Sequence, residues 1–413
     1  MELFAKKIEK QIVSYQQELI ETHYREVDNM YRQIRGWRHD YRNHIQTMKA
    51  YAAAGDWDAI QNYLDLLDTD LQTVDTVIKT GNPMTDAIAR QMGHVSWNGL
   101  TQHDTIFPLF LFIAGVSFPF SLAKQRVVGV SERRILFKVI RRGMTLIVLG
   151  MIYNGLFRFD FASLRVASVL GRIGLAWMFA ALLYMRFGLR TRIVLAAGIL
   201  AAYSLVLHFV GAPDAPGAGT LTLEGNIAGY IDRRIMPSHL YLDGFDPEGI
   251  LSTFPAVVTA MLGMFTGEFV RRSDKRLTGG RKALGMACGA AALLAAALLW
   301  NMWQPINKSL WNGSFVCAAG AYSLGMFALF YYMIDVRQWR RWTFFFKVIG
   351  VNSITIYLGQ MIVNFGYTSK FFFGGAASKL PPEAGAVVLG IGYIACCWLL
   401  LWFLDRQRIY LKV

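Results

Sequence analysis

Residues 105–123 read TIFPLFLFIAGVSFPFSLA, a run without a charged residue, and Lys124 and Arg126 follow directly. Such a run is long enough to cross the hydrocarbon core of a bilayer as a helix, which takes about 20 apolar residues. Eight further stretches are similar, near 139–157, 167–185, 193–211, 250–270, 284–303, 314–334, 343–364 and 385–404. Their Gly, Trp, Tyr and Phe content suits membrane helices and interfacial belts. The pattern predicts an all-α fold, a polytopic membrane bundle of about nine transmembrane helices.

The loops between these runs alternate in charge. One set carries 23 Lys and Arg: Lys124–Arg142, Arg186–Arg192, Arg271–Lys282, Arg337–Lys347 and Arg406–Lys412. The other set carries seven: Arg158, Arg165, Arg233, Arg234, Lys308, Lys370 and Lys379. The positive-inside rule places the first set in the cytoplasm. Nine crossings then put the C-terminus inside and the segment before residue 105 outside. The loop 212–249, rich in Gly, Pro and Asp, becomes an external loop long enough to cover a site.

Composition agrees with a membrane segment joined to something else. The chain is 54% hydrophobic and 17% charged, where a soluble domain has about 25% charged residues. Residues 1–89 hold 10 Lys and Arg against 14 Asp and Glu, whereas 90–413 hold 32 against 14. The basic excess lies in short clusters between apolar runs, so topology explains it better than nucleic acid does. Cys288, Cys317, Cys396 and Cys397 sit in apolar runs without metal-ligand spacing and read as small buried hydrophobes. No metal site is expected. The first 30 residues are charged and helical in pattern, unlike a signal peptide.

In the N-terminal segment Val13, Ile20, Val27, Ile34, Tyr41 and Met48 recur at strict sevens, a seam along which a long helix pairs with others. After Gly55 a second amphipathic helix presents Ile60, Tyr63, Leu64, Leu67, Leu71, Val74 and Ile78, and Gly81-Asn82-Pro83 ends it. Two such helices form a soluble hairpin that would dimerise as a four-helix bundle, which makes a homodimer possible. His39 sits beside the seam with Asp40 next to it. That pair is either a solvated helix face or an activated imidazole nucleophile. His39-Asp40-Tyr41-Arg42-Asn43, with Gly55-Asp56-Trp57, Tyr63-Leu64, Thr80-Gly81-Asn82-Pro83 and Asp86-Ala87, resembles the dimerisation and phosphoacceptor region of GHKL sensor histidine kinases over residues 1–88. The resemblance implies that His39 accepts phosphate, with Asp40 and Asn43 in its motif. No ATPase domain follows Asp86, so phosphorylation in cis is not expected.

Gly93-His94-Val95-Ser96-Trp97-Asn98-Gly99-Leu100-Thr101-Gln102-His103-Asp104 leads into the first membrane run. Asp104 stands at or inside the membrane boundary, where carboxylates are costly and usually functional. The His94 ring can take a proton or an acyl group, or simply be solvated by headgroups. Arg172 falls inside an apolar run; it pairs with a carboxylate, binds a cofactor phosphate, or snorkels.

His94, Trp97-Asn98-Gly99-Leu100-Thr101, Asp104 and Phe107-Pro108 resemble the signature of the heparan-α-glucosaminide N-acetyltransferase family and its bacterial relatives. Arg165, Val169-Leu170, Arg172-Ile173, Asp246-Pro247-Glu248-Gly249, Ser252-Thr253, Pro305-Ile306-Asn307-Lys308, Leu310-Trp311 and Asn352-Ser353-Ile354 follow in the family's order, and the likeness covers about 92–413. It implies transfer of an acetyl group from cytoplasmic acetyl-CoA to the amine of a glucosamine-type sugar on the outer side of a bacterial inner membrane. It implies His94 as catalytic histidine, and Asp104 is assigned to orient it. Trp97, Asn98, Asp246, Glu248, Asn307 and Lys308 are the expected substrate contacts, and Arg172 the expected cofactor contact. Position 171 is Gly where the family usually has Gln.

The family opens with a membrane helix ahead of its histidine loop. Here residues 82–93 read as a short polar link, so the chain is expected to be a chimera of a kinase-like hairpin, 1–88, and an acetyltransferase-like membrane domain, 92–413. A sugar or lipid-substrate transporter and a signalling receptor with the hairpin as output are the competing readings. The expected partners are the lipid bilayer and an amino sugar, not nucleic acid.

Overall fold

The computed structural model describes residues 83–161, 164–236, 240–242, 244–274 and 276–411. The chain divides into an N-terminal unit ending at His94 and a membrane unit, Val95–Val413. The kinase-like motif with His39, Asp40 and Asn43 lies outside the described residues. The described part of the N-terminal unit is helix α1, Pro83–Met92. Pro suits a first helical position, where its missing N–H would be unpaired anyway. No breaker follows until Gly93, so the segment expected to be a short polar link is mostly helical.

In the membrane unit every regular element described is helical. The long helices are α2 Ile106–Val127, α3 Glu132–Tyr153, α4 Val169–Arg186 and α5 Leu189–Phe209. A short α6, Ile227–Ile235, lies in the connection to α7 Thr253–Arg271, α8 Gly279–Asn301 and α9 Gly313–Tyr331. The chain ends through α10 Thr343–Val351, α11 Ser353–Ile362, α12 Phe365–Ala377 and α13 Pro382–Arg406. Among the described residues seven helices are long and apolar enough to cross a membrane: α2, α4, α5, α7, α8, α9 and α13. The α10–α11 pair makes an eighth if its bend is accepted as one span. Large apolar side chains such as Phe110, Ile113, Leu298, Phe371, Ile391 and Phe403 are exposed, as lipid-facing positions require and as a water-soluble surface would not tolerate in bulk. This is a multi-pass helical membrane protein.

Small residues decide which helices are central. A Cβ on Gly115 of α2 would run into the Ala260 carbonyl of α7, and one on Gly263 or Gly267 into the carbonyls of Phe112 or Val116. The α2 and α7 backbones therefore touch directly, as small residues spaced by four allow in membranes. α7 and α9 are 61% and 67% buried across their apolar windows, against 17% for α8 and 11% for α13. The latter two form the rim. Cys317 and Cys397 are buried and Cys396 partly so, but Cys288 is exposed on α8, a correction to the reading of all four as buried.

The run 139–157 is realised as α3, which begins earlier and stops at Tyr153. A left-handed Gly155 turns the chain there. α3 has 22 residues, about 33 Å at 1.5 Å per residue. Its first three turns are charged. Its inner face is Ile135, Val139, Gly143, Leu146 and Gly150, and it packs on α4 where a Cβ on Gly174 would meet the Gly143 carbonyl. Arg126–Glu132 closes one end of the α2–α3 pair at 2.7 Å. At the other end Asn154 donates to the carbonyls of Arg165 and Ala167.

The run 343–364 is not one helix. α10 and α11 meet at 67° across Asn352. α10 lies along the last turns of α13, with Phe345 stacked on Trp398 at 5.6 Å. α11 turns aside and stacks Tyr357 on Tyr153 at the end of α3, 4.6 Å between rings. α12 then packs along the first half of α13, where Ser369 donates to the Leu389 carbonyl at 2.7 Å. The segment 212–249, expected to be a loop, holds α6. It also builds an apolar cluster of Tyr203, Leu207, Ile227, Ala228, Phe245 and Leu310.

Candidate functional site

Residues 97–105, 165–172, 232–252 and 304–312 meet at one end of the membrane unit. Trp97 Nε1 donates to the Leu221 carbonyl at 2.8 Å, and its ring sits edge-on to Phe245 at 5.5 Å. Asn98 Oδ1 accepts from Asn307 Nδ2 at 3.1 Å, and Gly99 N donates to the Ile306 carbonyl at 2.8 Å. Asp104, 1% exposed, accepts from Thr101 N and Oγ1 at 3.2 and 2.9 Å and pairs with Lys308 Nζ at 3.2 Å. That pairing gives a boundary carboxylate the cation it needs. Asn312 caps α9, accepting from Phe315 N at 3.1 Å and Asn307 N at 3.3 Å. Of the residues expected from sequence, Trp97, Asn98, Asp104, Asn307 and Lys308 thus share one seam. His94 is exposed and is the last residue of the N-terminal unit; the seam begins with Trp97, three residues on.

Beside the seam, Arg165 grips two carboxylates. Its Nε and Nη2 donate to Asp246 Oδ2 and Oδ1 at 2.7 and 2.6 Å, and Nη2 also donates to Glu248. The guanidinium stacks over Tyr241, 4.7 Å from the ring centre. Asp246 is fully buried and accepts further from Tyr241 N at 3.3 Å and Glu248 N at 2.9 Å. Burial acts to lower the Arg165 pKa, but the two carboxylates reverse that and hold it above the usual value. Bidentate pairs of this kind are strong and geometrically specific.

Arg172 is 2% exposed. Its Nη2 donates to Ser252 Oγ and, at 3.4 Å, to the Gly249 carbonyl. Its guanidinium lies 5.0 Å over Trp311. Nε and Nη1 are buried without an acceptor among the described residues. Nearby stands a carboxylate that the sequence reading passed over. Asp232 of α6 is fully buried; Oδ1 accepts from Ile250 N at 2.9 Å, and Oδ2 is buried without a donor among the described residues. Burial, chiefly, pushes its pKa up to about 7. A Cβ on Gly249 would run into this carboxyl, which is the physical reason for glycine at the end of Asp246-Pro247-Glu248-Gly249. The sequence signal was an Asp on the apolar face of Ile227-Ala228-Gly229-Tyr230-Ile231-Asp232. Ser252 and Trp311, contacts of Arg172, were also missed as site residues. Tyr357, carried in by the turned-aside α11, feels the Glu248 and Arg165 charges.

The site end therefore holds a buried donor pair and a buried acceptor, both unmet, beside carboxylates already paired. No group of three or more His, Cys, Asp or Glu among the described residues is placed to hold a metal ion.

No family model matches the chain. It is similar to the human (Homo sapiens) heparan-alpha-glucosaminide N-acetyltransferase, 26% identical over 373 residues, covering 78% of this chain and 55% of that protein. It is likewise similar to the Mus musculus heparan-alpha-glucosaminide N-acetyltransferase, 28% identical over 323 residues, covering 65% and 49%. The chain spans about half the length of the curated relatives it matches.

Proposed function

We propose that the chain is the body of a membrane acetyltransferase. It moves an acetyl group from acetyl-CoA, supplied at the basic, cytoplasmic end, to the amine of a glucosamine-type sugar at the site end, in a bacterial inner membrane with its C-terminus inside. The observation that carries this reading is the pairing of unmet groups at the site end of a chain similar to two N-acetyltransferases. Arg172 offers two donor nitrogens and Asp232 one carboxylate oxygen. A carbonyl oxygen and an amine are the groups that would satisfy them, and these are the two reactive groups of acetyl transfer. Both lie against the Asp246–Gly249 turn, Arg172 Nη2 reaching the Gly249 carbonyl and Asp232 accepting from Ile250 N.

The amine attacks the carbonyl carbon of the acetyl-CoA thioester; as the N–C bond forms the C–S bond breaks, and coenzyme A leaves as a thiolate that in the end takes up the proton released from the amine. Arg172 holds the oxygen on which negative charge develops. Asp232 accepts a hydrogen bond from the amine and orients it. His94 takes the proton that the amine loses, or accepts the acetyl group first; an imidazole suits either task near neutral pH. Asp104, with Lys308 and Thr101, fixes the segment that follows His94, and Asn98–Asn307 and Trp97 shape the sugar's surroundings. Glu248 offers its remaining lone pairs to sugar hydroxyls; Asp246, fully buried and accepting four hydrogen bonds, holds Arg165 and Glu248 in place instead of touching the sugar.

The test is label transfer from acetyl-CoA to glucosamine in membranes. Label should appear on the sugar and fall by 100-fold or more, about the contribution of a general base, in His94→Ala and again in Arg172→Gln. One observation favours a second reading. The α10–α11 span is broken at 67°, and discontinuous helices mark many transporters. Uptake of labelled sugar without consumption of acetyl-CoA would establish transport and overturn the transferase.

A further inference from the structure

At the opposite, basic end a crevice of about 210 Å³ opens between α2, α3 and α4. Its rim is Ser117, Ser121, Gln125, Lys138, Arg141 and Arg142, and no lining residue is acidic. Its floor is apolar, with Phe118, Ile135 and Trp177 buried. Lys138 Nζ donates to Gln125 Oε1 at 3.0 Å. Arg142 lies 4.5 Å over the Trp177 ring, and its Nε is buried without an acceptor among the described residues. Neighbouring arginines are treated differently: Arg126 has Glu132 at 2.7 Å and Arg192 has Glu268 at 2.8 Å. Among the described residues none of Lys138, Arg141 and Arg142 is in a salt bridge.

We infer that this crevice is a binding site for a phosphate group. Three cations converge on one opening that no lining carboxylate neutralises; Ser121 keeps its hydroxyl hydrogen and Gln125 its second amide hydrogen for a ligand, whereas Ser117 donates to the Ala114 carbonyl at 2.8 Å. The Arg fork suits two phosphate oxygens at once, and the Trp177 face fixes the guanidinium from behind. A whole drug-sized ligand fills roughly 300–1,000 Å³, so this crevice takes one end of a larger molecule. Two sources present that chemistry here. One is the phosphorylated end of coenzyme A. The other is the headgroup of an anionic phospholipid, because the charged first turns of α3 lie at the level where headgroups sit. The site stands apart from Arg172 and Asp232 and does not depend on acetyl transfer.

Equilibrium binding of labelled coenzyme A and of short-chain phosphatidylglycerol to the full chain in detergent tests this. Variants are Arg142→Gln, Lys138→Gln, their double, and Ser121→Trp, which blocks the crevice while keeping every charge. Melting temperatures close to wild type establish that each variant is folded. At least one ligand should bind saturably, weaken about tenfold in each single variant and be lost in the double and in Ser121→Trp. Coenzyme A alone obeying this pattern identifies the nucleotide as the source; phosphatidylglycerol alone identifies the lipid. Binding of neither to folded wild type, or binding unchanged in the double variant, overturns the site. Acetyl transfer is not read out, so a failed transferase assay leaves this result standing.

Discussion

The carboxyl of Asp232 is fully buried, has one backbone donor and leaves Oδ2 unmet, and its pKa rises to about 7. A carboxyl harder to ionise folded than unfolded binds more protons in the folded state between its two pKa values. Stability is therefore full below about pH 4 and falls as pH rises towards 7. Each tenfold change in proton affinity is worth about 1.4 kcal/mol, so the effect amounts to a few kcal/mol. Asp232→Asn should flatten the decline: in detergent, the wild-type melting temperature should drop between pH 5 and pH 8 more steeply than the variant's. Parallel slopes would mean that Asp232 titrates elsewhere. Arg165 carries the opposite hazard. Arg165→Ala strands the buried carboxyl of Asp246, and loss of one partner of a buried pair costs about 3–5 kcal/mol. Arg165→Lys keeps the charge without the fork and should lose less; equal melting temperatures for wild type and Arg165→Ala would show that Asp246 finds another cation. Arg165 and Asp246 were visible in the sequence as motif residues, but their mutual engagement was not, because it joins positions 81 residues apart.

At the scale of elements, the α2–α7 contact makes a sharp prediction. Gly263 sits against the Phe112 carbonyl, whereas Gly198 of α5 has open space where a side chain would go. Gly263→Ala has to push two central helices apart, and overpacking of that kind costs about 1–3 kcal/mol. Gly198→Ala should be neutral or slightly stabilising, since Ala favours helix. Size-exclusion profiles and melting temperatures of the two variants check this, and equal behaviour would show that α2 and α7 are not in backbone contact. The apolar runs made the helices themselves legible. What they hid was the break at Asn352. Residues 343–364 are mostly apolar on both sides of Asn352-Ser353, and hydropathy is blind to direction. The turn aside of α11 comes instead from packing, in the stack of Tyr357 on Tyr153. α3 was legible as the run 139–157, but its start at Glu132 was not: its charged first turns spoil the hydropathy there, although its inner stripe of Ile135, Val139, Gly143, Leu146 and Gly150 is that of any packed helix.

At the scale of the molecule, α3 decides the topology. It falls outside the seven spans that length and hydropathy select, and without it every later loop would change sides. Yet Trp97 bonds the 210–252 segment, Asn98 bonds Asn307 and Arg165 bonds Asp246. These contacts bind together the segments before α2, between α3 and α4, between α5 and α7, and between α8 and α9. They share one end only if α3 runs the full length of the bundle, from Arg126–Glu132 to Asn154. The alternation of loop charge, 23 basic residues against seven, then falls on two ends that the contacts define independently. Cysteines placed singly at Ala218, after α5, and at Val128, between α2 and α3, in a background lacking the four native ones, should separate these ends. A membrane-impermeant maleimide should label Ala218→Cys in intact cells and Val128→Cys only after permeabilisation. With α4 and α5 both crossing, labelling of the two from the same side would refute the crossing of α3, because only an odd number of crossings puts them on opposite sides. Labelling of Val128→Cys alone would invert the protein, placing the unmet groups of Arg172 and Asp232 on the cytoplasmic side, against the proposed outward-facing site.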